Sequence, residues 1–145
     1  MHEGDEIRTR IKELGAQIDA DYPTGNLHLV CILKGAYVFL ADLARAIKRD
    51  TFVEFMGISS YGKGKTSSGE VKVTKDLDHS VEGANVLIVE DIVDSGVTLS
   101  YLVQVLRQRK PHSVRIAALL DKPERRLRPG GPRVRWRGSS APLHR

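Results

Sequence analysis

The strongest constraint on the fold of this chain is the alternation of short apolar runs with helical segments through residues 1–122. Three runs are short, mostly apolar and bounded by turn residues, as expected of buried strands: LHLVCIL (27–33), VLIV (86–89) and HSVRIAALL (112–120). Three other segments space their apolar residues as helices do: 6–20, 36–50 and 98–109. This alternation predicts an α/β fold with a mainly parallel, doubly wound sheet.

A hairpin is predicted between the second helix and the VLIV strand. TFVEFMGIS (51–59) and VKVTKDL (71–77) have the composition of strands, and SYGKGKTSSGE (60–70) between them is a long polar loop. The predicted hairpin therefore carries a loop rich in Gly, Ser and Lys.

Length and composition exclude several classes of protein. The 145 residues suit one domain with a real core. No apolar run approaches the roughly 18 residues that span a bilayer, and MHEGDEIRTR lacks the apolar segment of a signal peptide. Cys31 is the only cysteine, which rules out an intrachain disulfide and fits a cytoplasmic protein. We expect Cys31 to be a small buried strand residue.

The net charge of +5 belongs to the end of the chain. Residues 1–122 hold 16 Lys and Arg against 17 Asp and Glu, whereas residues 123–145 hold seven Arg against one Glu. The final segment also has four of the six prolines and no sustained helix or strand period. We therefore predict a folded core over 1–122 and an irregular Arg/Pro/Gly-rich tail over 123–145.

The segment VLIVEDIVDSGVTLSYL (86–102) carries the chemistry. Glu90 and Asp91 follow the apolar run, and Asp94 comes three residues later, before Ser-Gly-Val-Thr opens a helix. Ligands of open α/β sheets bind beyond the carboxyl ends of the strands, and a helix N-terminus favours an anion. Acids beside a phosphate need a divalent cation or a sugar whose hydroxyls donate to them. A phosphorylated ribose with magnesium supplies both, whereas the structural alternative is that the acids only cap the helix.

Residues 86–98 closely resemble the phosphoribosyl pyrophosphate (PRPP) signature of the type I phosphoribosyltransferases. The Glu-Asp-Ile-Val-Asp form is similar to that of the hypoxanthine-guanine branch. Three further stretches resemble, in the family's order, its pyrophosphate loop, its mobile lid hairpin and the strand ending in a purine-reading lysine: ILKGAYVFLADLARAI (32–47), SSYGKGKTSSGEVKV (59–73) and VRIAALLDK (114–122).

This resemblance implies the type I phosphoribosyltransferase fold and a reaction in purine salvage. A 6-oxopurine and PRPP would give a nucleoside 5′-monophosphate and pyrophosphate, with magnesium as cofactor. Glu90 and Asp91 would hold the ribose hydroxyls and the metal, and Asp94 would be the general base. The implied PRPP- and phosphate-binding residues are Glu90, Asp91, Asp94, Ser95, Gly96, Val97 and Thr98.

The resemblance also assigns the remaining site residues. Lys34 and Gly35 would bind pyrophosphate, and Lys122 would donate to the 6-oxo group of hypoxanthine or guanine. Ser60 and Tyr61 occupy the paired lid positions. The family usually forms dimers or tetramers through regions near the pyrophosphate loop, where AYVFLADL could serve, so we expect a homo-oligomer and no membrane partner.

The resemblance ends after Lys122. The family's next strand and loop supply an aromatic residue over the purine and a further Asp for magnesium. Residues 123–145 contain no Asp, and Trp136 is their only aromatic residue. We interpret this change as a truncated or frame-shifted C-terminus.

Two alternatives to an active enzyme are a catalytically impaired PRPP-binding relative and an RNA-binding regulator on the same fold. Nucleic-acid binding is not expected of the core, because residues 1–122 have a net charge of −1. The seven arginines of the tail would give weak, salt-dependent binding only.

Overall fold

The computed structural model describes residues 3–33, 36–60, 71–93, 97–121 and 135–137. Helices and strands alternate along these residues as the sequence predicts. The elements in chain order are α1 (Glu3–Asp21), β1 (Leu27–Ile32), α2 (Tyr37–Ala46), β2 (Phe52–Ser60), β3 (Val71–Lys75), β4 (Asn85–Val93), α3 (Val97–Arg107), β5 (Ser113–Asp121) and β6 (Arg135–Arg137).

One six-stranded sheet has the order β3-β2-β1-β4-β5-β6. The four central strands are parallel, and β3 and β6 are antiparallel at the two edges. Central strands of this kind are buried on both faces and read as near-continuous apolar runs, and all six residues of β1 are buried. The predicted mainly parallel α/β sheet is therefore confirmed.

Helices cover both faces of the sheet. On one face, α1 and α2 pack over a core that includes Leu29 and Leu87; on the other, α3 packs over Val30 and Ile88. Consecutive strand residues belong to opposite cores because strand side chains alternate between faces. Helices on both faces of a mainly parallel sheet are the predicted doubly wound arrangement. No helix among the described residues is long and apolar enough to cross a membrane.

The contact between α1 and α2 depends on a glycine. A Cβ built on Gly15 would lie 2.6 Å from the carbonyl oxygen of Ala46, closer than carbon and oxygen normally approach. Ile18 of α1 and Leu43 of α2, which belong to the segments predicted to be helical, are fully buried. Close approach of the two helices thus places their apolar faces in one core.

Two features differ from the sequence-based expectation. Strand β4 does not stop at Val89 but continues through both acids to Val93, because β5 keeps pairing with it as far as Asp121. In the segment predicted to be irregular, Trp136 pairs with Ala117 in the short strand β6. Neighbouring strand β5 offers an open edge there, which local periodicity cannot reveal. Cys31 is buried in β1, as predicted.

Candidate active site

The parallel strands bring together the strand ends that the predicted site residues adjoin in the sequence. Strands β1, β4 and β5 are parallel neighbours, so their carboxyl ends meet at the same edge, called here the carboxyl edge. Cys31 is paired with Val89, which places Glu90 level with the last residue of β1. The segment that contains Lys34 and Gly35 therefore begins beside the two acids of β4.

The register between β4 and β5 aligns the last residues of the two strands. Val93 is paired with Asp121, and in the sequence these two residues are followed by Asp94 and Lys122. The general base and the purine-reading lysine that the resemblance implies thus follow directly from a paired position. They are 28 residues apart in sequence.

Helix α3 begins four residues after β4 ends, which confirms the predicted strand and the predicted helix on either side of residues 94–96. Its first turn contains no acidic residue, so the positive end of its dipole is not neutralised from within the helix. Val97 and Thr98 open the helix, and their backbone N–H groups belong to the first turn that lacks intrahelical acceptors. This terminus can accept the phosphate of a ligand bound at the carboxyl edge.

Glu90 is half-buried on β4 and has the strand parity of Ile88, which belongs to the core under α3. Its carboxylate therefore lies on the side of the sheet where α3 begins. Asp91 follows as the next strand residue. Adjacent carboxylates at a strand end are oxygen donors of the kind that magnesium accepts together with the oxygens of a phosphorylated substrate. The donor set fits magnesium, although three or more metal-binding side chains do not cluster within the described ranges.

Several predicted site residues lie outside the described residues: Lys34, Gly35, Tyr61, Asp94, Ser95, Gly96 and Lys122. The predicted hairpin is present, because β2 and β3 pair antiparallel from Gly57–Lys75 to Ser60–Val71. Ser60 is the last residue of β2, and the loop 61–70, predicted to be the lid, is outside the described residues.

Two cavities in the described part of the chain lie away from this edge. One of about 450 Å³ is between α1 and α2, lined by residues that include Ile11 and Arg45. The other, about 250 Å³, opens beside Tyr22 and Arg115 near the first residues of β4 and β5. Burial raises the pKa of Tyr22 to about 12, against a smaller lowering by Arg115. Neither cavity contains a residue that the sequence predicts for the site.

Sequence reasoning missed one buried acid. Glu54 of β2 is 2% exposed, and its carboxylate accepts hydrogen bonds from the segment that follows β3. The available signal was a single acid within the apolar stretch TFVEFMGIS. An acid inside a buried strand requires a partner, because an unpaired buried charge is costly.

Comparison with known proteins agrees with this geometry. The family model for the phosphoribosyl transferase domain matches residues 2–137. A hypoxanthine-guanine phosphoribosyltransferase from Bacillus subtilis is 52% identical over 124 residues, which are 84% of this chain and 68% of that protein.

Solved structures show the same relationship. A hypoxanthine phosphoribosyltransferase from Staphylococcus aureus superposes with a TM-score of 0.79 at 43% identity, over 88% of this chain and 70% of the other. The Trypanosoma cruzi enzyme, solved in work on how its C-terminal region affects oligomeric state and activity, gives 0.78 at 45% identity over the same shares. The chain therefore belongs to the type I phosphoribosyltransferase family, in its hypoxanthine-guanine branch.

Proposed function

We propose that this chain transfers the phosphoribosyl group of PRPP to hypoxanthine or guanine, giving IMP or GMP and pyrophosphate, as a cytoplasmic enzyme of purine salvage. The observation that carries the proposal is the register of β1, β4 and β5. It aligns the carboxyl ends of these three strands, and the acids of β4 and the start of α3 lie at that edge. These are the parts that such a transfer needs.

The leaving group determines what one side of the site must do. Breaking the C1′–O bond gives the ribose oxocarbenium character, while negative charge grows on pyrophosphate. Lys34 and the backbone amides near Gly35 would stabilise that charge from the end of β1. Magnesium, when bound, supplies further positive charge to the pyrophosphate oxygens. Glu90 and Asp91 would hold it, directly or through water, along with the ribose hydroxyls.

The incoming purine is handled on the β5 side. Asp94 would remove the proton at N7 as the other ring nitrogen attacks C1′, and a positioned base of this kind contributes about 10²–10⁴-fold. Lys122 would donate a hydrogen bond to the 6-oxo group, which an adenine amino group cannot accept in the same way. Residues 94–98, which in the sequence run into α3, would hold the 5′-phosphate.

The proposal includes a homo-oligomer. Leu33, Tyr37 and Val38 are 36%, 59% and 56% exposed on both sides of the pyrophosphate segment. Large apolar side chains exposed together commonly mark a protein–protein contact. A Tyr37→Asp/Val38→Asp variant is expected to reduce the mass measured by light scattering; an unchanged mass would place the contact elsewhere.

Pyrophosphate release tests the activity. The full chain is incubated with PRPP and magnesium, with and without hypoxanthine or guanine, beside Asp94→Asn and a control, Glu82→Gln, whose exposed acid lies outside the site. We expect base-dependent release that Asp94→Asn loses and Glu82→Gln keeps. PRPP binding without release would instead support the catalytically impaired relative. RNA binding without PRPP binding would support the regulator.

A further inference from the structure

The buried carboxylate of Glu54 is the most informative group outside the proposed site. It lies in β2 with the strand parity of Met56, and both belong to the face covered by α3. Only 2% of Glu54 is exposed. Replacing a buried ionic group by an apolar one is often neutral or stabilising, so stability alone does not account for an acid here.

Both oxygens of Glu54 bind the chain just after β3. Oε1 accepts the backbone N–H of Asp78 at 3.0 Å, and Oε2 lies 2.9 Å from Nδ1 of His79. The imidazole of His79 is largely exposed, whereas the carboxylate is not. One buried side chain therefore makes two directed contacts with consecutive residues that are 24 and 25 positions away.

The position of these contacts is specific. The β2–β3 ladder runs from Ser60 down to Gly57, where its register is irregular, and Lys75 is the last paired residue of β3. Beyond that pair, the chain leaves the edge of β2 and crosses the face under α3, where Val81 is buried. Where the backbone hydrogen bonds between β2 and β3 end, the side chain of Glu54 provides the next contacts between β2 and this segment.

A second contact fixes the same stretch. Asp76 accepts two hydrogen bonds from the guanidinium of Arg109, at 2.8 and 2.9 Å, just beyond the end of α3. Leu77, between the two contacts, packs against the core. The outgoing end of the β2–β3 hairpin is thus attached both to β2 and to the end of α3.

We propose that Glu54 is a positioning residue, which fixes the outgoing end of the β2–β3 hairpin and thereby sets where the hairpin lies relative to the carboxyl edge. This inference rests on the proposed function, because it assigns the hairpin a part in holding PRPP. Glu54 does not touch the reacting atoms. It acts through the segment from Asp76 to His79.

The charged surroundings of Glu54 come from three segments. His28 of β1 is buried and stacks on Phe52 with ring centroids 4.8 Å apart, and burial holds the pKa of its imidazole below its ordinary value. His79 and Asp78 belong to the segment after β3, where Asp78 also pairs with Lys75 at 3.4 Å. Because a lowered pKa disfavours a positive charge on His28, this imidazole does not compete with Asp78 and His79 for the Glu54 carboxylate.

Hydrogen–deuterium exchange of the full-length chain tests the anchor without relying on activity. Glu54→Ala is expected to speed exchange of residues 71–79 by about tenfold, the scale of losing a hydrogen bond to a charged group. Peptides from β1 and β4 should exchange as in the wild type. In Glu54→Gln the exchange rate of residues 71–79 should lie between those of the wild type and Glu54→Ala, because the amide oxygen can still accept the N–H of Asp78. The exposed Glu82→Gln should leave the exchange rates unchanged.

Kinetics then separate positioning from folding. Misplacing the hairpin is expected to raise KM for PRPP several-fold in Glu54→Ala, with partial recovery in Glu54→Gln. A purely structural loss would lower the active fraction, and so kcat, at constant KM. Unchanged exchange at 71–79, or a uniform increase in all strands, would overturn the inference. A wild type without activity would contradict the proposed function, and exchange would still decide whether Glu54 anchors the hairpin.

Discussion

The two ends of the parallel strands are built in opposite ways. At the end where these strands begin, called here the amino edge, side chains form hydrogen bonds with backbone groups. Arg49 donates to the carbonyl oxygens of Tyr22 and Gly25, while the carboxylate of Asp19 accepts the backbone N–H groups of Lys48 and Arg49. The bonds of Arg49 connect the turn before β1 with the turn before β2, and those of Asp19 attach α1 to the turn before β2.

The carboxyl edge instead presents charge. Glu90 and Asp91 are consecutive acids at the end of β4, and α3 begins there without an acid in its first turn. Adjacent like charges do not favour folding, but together with a helix terminus they are suited to a ligand that carries both hydroxyls and phosphates. The comparison indicates that the amino edge stabilises the fold, whereas the carboxyl edge is available for chemistry.

The largest effect is expected from neutralising the acids of the carboxyl edge. Glu90→Gln/Asp91→Asn should weaken binding of PRPP with magnesium by about 10–100-fold, the scale for groups that hold or orient a metal. Its melting temperature is measured alongside, so that a loss of binding is assigned to a folded protein. Calorimetric titration and thermal unfolding measure the two quantities. Glu13→Gln/Asp50→Asn, two exposed acids elsewhere, is the matched control; if it weakens binding equally, the effect is general electrostatics.

The reverse pattern is expected at the amino edge. Arg49→Ala removes hydrogen bonds that close two turns and should lower the free energy of unfolding by about 1–3 kcal/mol. PRPP binding by the folded protein should not change. Urea unfolding gives the first quantity, and Arg8→Ala, whose side chain is 78% exposed, is the control, with a change below about 0.5 kcal/mol. A loss of PRPP affinity in Arg49→Ala would show that the two edges are coupled.

Gly15→Ala tests the packing of α1 on α2, which both edges share. The new methyl group would lie 2.6 Å from the carbonyl oxygen of Ala46 and 2.7 Å from its Cβ, so the helices must separate. Overpacking costs about 1–3 kcal/mol, and the better helix propensity of alanine returns up to about 1 kcal/mol. We expect net destabilisation in urea, whereas the exposed Gln17→Ala should be nearly neutral. A more stable Gly15→Ala variant would contradict the observed helix contact.

The smallest effect concerns pH. Burial holds the pKa of His28 below its ordinary value of 6.5 in the folded protein, so the unfolded chain binds the proton more readily. Stability should therefore fall as pH drops from 6.5 through the lowered value, and stay unaffected by this group above 6.5. Urea unfolding at several pH values measures the slope, which His28→Phe should reduce. An equal slope in both proteins would assign the dependence to other groups.

Local sequence was sufficient to predict the helices and strands of the fold, but not every residue at which they begin and end. The apolar runs of β1, β4 and β5 are predicted because both faces of a parallel strand are buried, and α3 is predicted by its periodicity. The extension of β4 to Val93 was missed because its acids read as a turn. Pairing with β5, a long-range interaction, keeps those residues in the strand.

The sequence by itself determined the α/β fold, the family and the residue types of the site, since these depend on periodicity and on short motifs. Tertiary structure alone decided which distant segments meet. The β4–β5 register pairs Val93 with Asp121, and burial converts Glu54 from one acid among many into an anchor. Both depend on strand pairing between residues far apart in the chain, which no local pattern encodes.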